Sequence, residues 1–367
     1  MTAGLHRFRH RRSLALVAFP LGVALIIVAG IGATGLIRRT SAGADRAGTA
    51  TGSAAAPGTG VAAPGSATPA PVASSGRPPA SARPPGCAFP VSGGVCPGPP
   101  PVAAPAGKRW KLSFTEEFSG STYDRSKLTP CFDWNYGDCT STFNQGREHY
   151  QPSQVVVSNG TAKLIAAPLD PPYRSESCQG GACTYKAGLL SSARARADNG
   201  SKYLYSFTYG YLESRFKFPA TQGFFTAFWM LPTDSTYTYR SEIDILELLG
   251  DDPTTMFMTY NYHERSESFP VNKGKHNNGA CPVRNYSTGF VRMGVDWQPD
   301  HIAWYIDGKK CAQFTDRSQI ENGPMQFILH MMVDNEWQRR WNVGLKDPTL
   351  TRQLEVDYIR VYQLVPA

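Results

Sequence analysis

The stretch Ser241-Glu-Ile-Asp-Ile-Leu-Glu-Leu248 decides how this chain is read, because acids and branched apolar residues alternate in it almost, but not quite, regularly. Alternate residues of a strand face opposite sides, so Glu242 and Asp244 share one face while Ile243 and Ile245 share the other and enter a core. Strict alternation would send Glu247 inward with the isoleucines, where an unpaired carboxylate costs several kcal/mol. A β-bulge near Leu246 resolves the conflict, since one extra residue resets the alternation and returns Glu247 to the face of Glu242. The sequence therefore predicts a bulged strand with three acids on one side.

Around this strand, short β-branched and aromatic runs bounded by Gly, Pro, Asn and Asp recur from Lys108 onward, with no long helical periodicity. The segments QVVVSNGTAKLIAA, GFFTAFWMLP, TMFMTYNYH, FVRMGVDWQ, HIAWYIDG, QFILHMMVD and LEVDYIRVYQ read as strands, as does part of KYLYSFTYGYLESRFKFP. Asp307-Gly308, between AWYI and KKCAQF, carries the two positive-φ residues of a type I′ hairpin. So many strands in about 260 residues imply an all-β domain of two stacked sheets, one outer face of which is open to form a groove for a polymer.

Residues 1–106 look unlike a packed core. A basic segment at 1–12 precedes 25 uncharged residues at 13–37, long enough to span a bilayer and longer than the apolar region of a typical cleavable signal. Ala42-Gly-Ala44 is a small-residue cleavage site, so both a retained anchor and a removed signal stand open. Four arginines before the apolar run against Arg38 and Arg39 after it keep the N-terminus cytoplasmic and put everything downstream outside, secreted or anchored at the membrane. Residues 38–106, rich in Pro, Ala, Gly, Ser and Thr, hold too few large apolar side chains to order themselves and read as a disordered spacer before a domain at 107–367.

The net charge of +8 suggests an anionic partner until it is located. Nine arginines and one aspartate before Lys108 account for all of it, so the domain is neutral on balance and nucleic acid is excluded as a partner. Eight cysteines in an oxidising compartment, without a CxxC pair, favour disulfides over metal ligation. Cys131 with Cys139 and Cys178 with Cys183 are spaced as local staples, and Cys87 and Cys96 flank a small loop; spacing alone leaves the full connectivity open.

Three acids on an open face fit carboxylate chemistry. Retaining glycosidases use one carboxylate as nucleophile and another as acid and then base, about 5 to 5.5 Å apart. With the bulge, the Cα atoms of Glu242 and Glu247 lie about four strand steps apart, roughly 13 Å, a gap that two long glutamate arms leaning together reduce. A plain polar sheet face would explain Glu242 and Asp244, but not Glu247 among leucines.

The segment EIDILE resembles the ExDxxE signature of glycoside hydrolase family 16 in its bulged, laminarinase-like form. GYLESRFKFP, FFTAFWMLP, FTEEFSG, GVDWQPDHIAWYIDGK and LEVDYIRVYQ are similar to further family blocks, in family order across residues 107–367. The resemblance implies a concanavalin A-like jelly-roll sandwich with a concave cleft, and a monomeric endo-enzyme that cleaves β-1,3- or mixed β-1,3/1,4-glucan through a covalent intermediate. In it Glu242 is the nucleophile, Glu247 the acid/base and Asp244 the residue tuning them. It leaves galactan hydrolysis and transglycosylation open, and a noncatalytic sugar-binding sandwich is the rival of another class. It implies sugar contacts for Trp229 and Trp337 and, more loosely, for Trp134, Asn135 and Glu148, while Arg215 is a candidate for the cleft or for a surface ion pair. No cofactor is required. Glu117 and Asp357 match the usual side-chain positions of a structural calcium site.

Overall fold

The apolar runs become strands whose alternation sorts them into two sheets. The computed structural model describes residues 98–134, 139–142, 145–194, 202–233, 241–262 and 271–367. The apolar run at 13–37, Cys87, Cys96 and Asn135 lie outside the described residues. The strands are, in chain order, β1 (Lys108–Glu116), β2 (Glu148–Tyr150), β3 (Val155–Ser158), β4 (Thr161–Arg174), β5 (Ala182–Ala187) and β6 (Leu189–Ser191). They continue with β7 (Gly210–Lys217), β8 (Phe224–Pro232), β9 (Glu242–Leu249), β10 (Phe257–Tyr262) and β11 (Val271–Asn277). The last are β12 (Val291–Gln298), β13 (His301–Ile306), β14 (Lys309–Phe314), β15 (Met325–Val333) and β16 (Arg352–Pro366). One short helix, α1 (Glu336–Arg340), follows β15. No helix among the described residues is long and apolar enough to cross a membrane.

The smaller sheet runs β11-β10-β9-β8-β15-β6; the larger runs β14-β13-β12-β7-β16-β4-β5-β2, with β1 on β16 and β3 on β4. Every pairing is antiparallel except that of β2 with β5. The core lies between the sheets: Phe228 of β8 meets Phe216 of β7 with ring centroids 5.4 Å apart, and Phe327 of β15 meets Phe114 of β1 at the same distance. The β13–β14 hairpin turns at Asp307 (φ 49°) and Gly308 (φ 82°), the positive pair a type I′ turn needs. Disulfides join Cys131 to Cys139, Cys178 to Cys183 and Cys281 to Cys311.

The segment before Gly107, expected as spacer, packs on the domain from Gly98 onward. Val102 sits against Tyr211, Ala303, Tyr305 and Tyr362 on the outer face of the larger sheet. There the Trp110 indole donates to the Val102 carbonyl at 2.7 Å, and the Tyr362 hydroxyl to that of Gly98 at 2.9 Å. This face carries tyrosines where a solvated strand face would carry charges, and the segment covers them.

Candidate active site

The bulge lies at Ile245. Trp229 of β8 pairs with Asp244, and Phe228 pairs with Leu246, so Ile245 is the extra residue; on the other side Thr259 pairs with Asp244 and Phe257 with Glu247. Directly opposed residues share a face. Glu242, Asp244 and Glu247 therefore stand on the outer face of the smaller sheet with Trp229, Ala227, Phe257, Thr259 and Asn261, while Ile243, Leu246 and Leu248 point into the core. Glu242 opposes Asn261 and Glu247 opposes Phe257, four residues of β10 apart. That is the separation of roughly 13 Å expected from strand rise.

A bulge leaves backbone groups without a ladder partner, and a buried carbonyl must find a donor elsewhere. Here the indole of Trp304, from β13 of the opposite sheet, crosses the core and donates to the Asp244 carbonyl at 2.9 Å. Trp304 is fully buried. The core thus holds the bulge from beneath.

Electrostatics distinguishes the acids. Burial, with the charges of Glu242 and Glu247 beside it, pushes the Asp244 carboxyl well above the usual carboxylate range, so it keeps its proton at neutral pH and donates it to Glu242. Burial also raises Glu242, but hydrogen bonds from Asn261 and Asp244 oppose this by favouring its ionised form. The Asn261 amide donates to Glu242 Oε1 at 3.1 Å. Between them, Asn261 and protonated Asp244 aim two donors at one carboxylate.

Aromatic side chains flank the acids on this face. Trp229, 6% exposed, lies 5.9 Å from the His330 ring and 6.4 Å from that of Trp134, which is stacked on Phe132 at 4.5 Å. On the far side of Glu247, Phe257 packs against Trp337 at 5.2 Å and Trp341 at 5.6 Å. Trp337, at 6% exposure, is as covered as Trp229, while Trp341 beside it is 41% exposed. The reason is α1. Asn335 accepts from the Gln338 amide N–H at 2.9 Å and Gln338 Oε1 accepts from that of Asn335 at 3.1 Å, a capping box that starts a helical turn and places Trp337 beneath Trp341.

Of the further candidates, Glu148 is buried and Arg215 takes the second of its two expected roles, the surface ion pair. Arg215 pairs with Asp357 at 2.7 Å and lies over the Phe290 ring on the outer face of the larger sheet, across the sandwich from the acids. Glu148 is fully buried: its Oε2 accepts from the Val333 N–H at 2.8 Å, and a Cβ on Gly146 would lie 2.3 Å from that oxygen. It cannot meet a sugar; burial raises its carboxyl to about 8. Calcium does not fit Glu117 and Asp357, because Arg360 takes both Glu117 oxygens at 2.7 Å and Arg215 takes Asp357. Among the described residues no group of three or more His, Cys, Asp or Glu is placed to hold a metal.

The sequence reading missed His330 and Tyr150. The Tyr150 hydroxyl lies 2.8 Å from His330 Nδ1 and 2.9 Å from the Met331 carbonyl, and burial lowers His330 to about 3, so its imidazole is neutral. It also missed Asn261, although the alternation Phe257, Thr259, Asn261 marks one face of a strand.

A two-sheet sandwich that sets three carboxylates on one outer face by a bulge fits carboxylate chemistry on a bound ligand, and comparison with known proteins gives the class. The family profile described as Glycosyl hydrolases family 16 matches residues 177–360. The chain belongs to that family. It is 32% identical over 206 residues to a glucan endo-1,3-beta-glucosidase of Cryptopygus antarcticus, covering 54% of this chain and 67% of the relative. An endo-1,3-1,4-beta-glycanase of Rhizobium meliloti (strain 1021) is 27% identical over 224 residues, 59% of this chain, but the chain spans only 42% of that relative's length. Among solved structures, an endo-beta-1,3-glucanase from Pyrococcus furiosus superposes with a TM-score of 0.54 at 24% identity, covering 73% of this chain and all of the other. That likeness supports the jelly-roll sandwich.

Proposed function

We propose that the domain is a retaining endo-glycosidase that hydrolyses β-1,3- or mixed β-1,3/1,4-glucan. The observation that carries this reading is the bulge at Ile245, which brings Glu242, Asp244 and Glu247 to one face with two hydrogen-bond donors turned toward Glu242. A noncatalytic binding face has no need of two donors, one of them a neighbouring acid, turned on a single carboxylate.

Glu242 is the nucleophile. Its carboxylate attacks the anomeric carbon as the bond to the leaving sugar breaks, and Glu247 gives its proton to the leaving oxygen. In the second half, Glu247 takes a proton from water, whose oxygen attacks the same carbon and frees Glu242. Asp244 and Asn261 position Glu242, and Trp229, Trp134 and Trp341 offer ring faces to sugar C–H groups. The disulfides suit an oxidising compartment, so we place the domain outside the cell, tethered or released according to the fate of residues 13–37.

The test is a reducing-end assay on laminarin, lichenan and agarose. We expect turnover on one or both glucans, a loss of about 10⁴-fold or more in Glu242→Gln, and a first product of retained anomeric configuration. No turnover on any polymer refutes the enzyme, and an inverted product refutes Glu242 as nucleophile.

A further inference from the structure

Across the sandwich from the acids, the outer face of the larger sheet holds a pocket of about 300 Å³. It exists because one row of the sheet runs Tyr211, Asp296, Ala303, Gln313, and Ala303 sets a single methyl where its neighbours set long side chains. Trp110 and Tyr305 wall it. Both rings are held in place: the Trp110 indole is tied to the Val102 carbonyl, and Tyr305 meets Tyr211 edge-on at 5.7 Å. Ordering them for a ligand costs little more.

The polar lining is unusual for a solvated strand face. Asp296 is only 2% exposed, and its two oxygens meet the Gln298 amide at 2.8 Å and His301 Nε2 at 3.0 Å. Lys310 donates to the Gln313 carbonyl at 2.8 Å. The Asp296 carboxylate and the Lys310 ammonium are thus engaged within the pocket, and His301 has its second nitrogen 2.8 Å from Asp300, so the wall presents the amides of Gln298 and Gln313 and one carboxylate with capacity for further hydrogen bonds. Rings that pack C–H groups beside planar amides and a carboxylate already bonded on both oxygens match the hydroxyls and apolar face of a neutral pyranose. The volume stands at the small end of the range for small-molecule sites, about 300–1,000 Å³, suited to one or two sugar rings.

We propose that this pocket is a second carbohydrate site, which binds a neutral polysaccharide chain and is separate from the acids. A chain held there lies on the wrong side of the sandwich to be cut by the same molecule; it raises the local concentration of polymer for the cleft, as any second contact on a multivalent ligand does.

The test uses the full chain carrying Glu242→Gln, so that polymer is bound without being consumed. Native electrophoresis through gels containing laminarin or lichenan reads affinity from retardation. Ala303→Leu, which fills the pocket floor, and the exposed-rim double variant Lys310→Ala with Gln313→Ala, which spares the fold, are each compared with their parent. Because the cleft is the same in all, the difference belongs to the pocket. We expect retardation to weaken about fivefold in the pocket variants. In the unmodified Glu242 background, turnover of a soluble tetrasaccharide stays unchanged while the rate on insoluble glucan falls. Retardation equal to the parent in the rim double variant overturns the site, and pocket-dependent retardation on carboxymethylated glucan alone overturns the neutral ligand. Absence of turnover would overturn the hydrolase reading and leave this one to be judged on retardation.

Discussion

At the scale of single residues, the unusual groups are two acids, Asp244 and Glu148, that form no ion pair among the described residues. Asp244 solves its burial by keeping a proton and giving it to Glu242, a role that needs a short side chain between two long ones. Glu148 solves the same problem far from solvent. Its raised folded value, about 8 against about 4.5 unfolded, means that the native state binds more protons than the unfolded state between those limits. Stability from this group is full below about pH 4.5 and is lost as pH rises through 8. His330 has the opposite sign: lowered to about 3, it costs stability as pH falls below about 6.5. Glu148→Gln keeps an acceptor for the Val333 N–H and removes the alkaline penalty. We expect its melting temperature to exceed that of the parent at pH 8.5 and to be equal or lower at pH 5; identical pH profiles would show that Glu148 ionises normally. Nothing in the local sequence announced this burial, because the partner of Glu148 is 185 residues away.

At the scale of elements, the acid strand was legible because alternation is a rule about neighbours. Burying Glu247 was too costly, so a bulge had to follow, and it lies one residue from where the argument put it. The same rule says which residues of β7 share a face but not on which side of the sandwich that face lies, and so the sequence leaves Arg215 between the cleft and a surface ion pair, of which the ion pair is present. The turn after β15 hides its helix for a different reason: Asn335 and Gln338 form a capping box, and one turn of helix sets Trp341 over Trp337 on the same side. The bulge itself can be tested. Deleting Ile245 leaves Glu242, Asp244 and Glu247 in strict alternation on one face and should keep Glu247 outside, whereas inserting an alanine after Leu246 turns Glu247 into the core, so there activity should vanish with a loss of several kcal/mol in chemical denaturation. Trp304→Phe keeps the core filled but removes the donor to the Asp244 carbonyl, and should cost about 1–3 kcal/mol in chemical denaturation. A Trp304→Phe protein as stable and active as its parent would show that the bulge holds without that bond.

At the scale of the whole molecule, composition separated a charged, low-complexity N-terminal region from a neutral domain, but it drew the boundary at Gly107 because Pro and Ala dominate the residues before it. Contacts move that boundary. Val102 covers Tyr211, Ala303, Tyr305 and Tyr362, so a chain begun at Gly107 leaves tyrosine faces bare and the Trp110 indole without its carbonyl. Compared with a chain begun at Gly98, it should melt lower by about 3–8 °C, taking roughly 2–4 °C per kcal/mol for a domain of this size, with kcat on soluble substrate unchanged. Equal melting temperatures would mean that the segment rests on the sheet without stabilising it.

The place where that segment docks has a bearing on how the molecule meets its surroundings. Gly98 and Val102 are fastened to the face of the sandwich turned away from Glu242 and Glu247. A load applied through Gly98 therefore reaches the domain on the face opposite the three acids, with the thickness of both sheets between them.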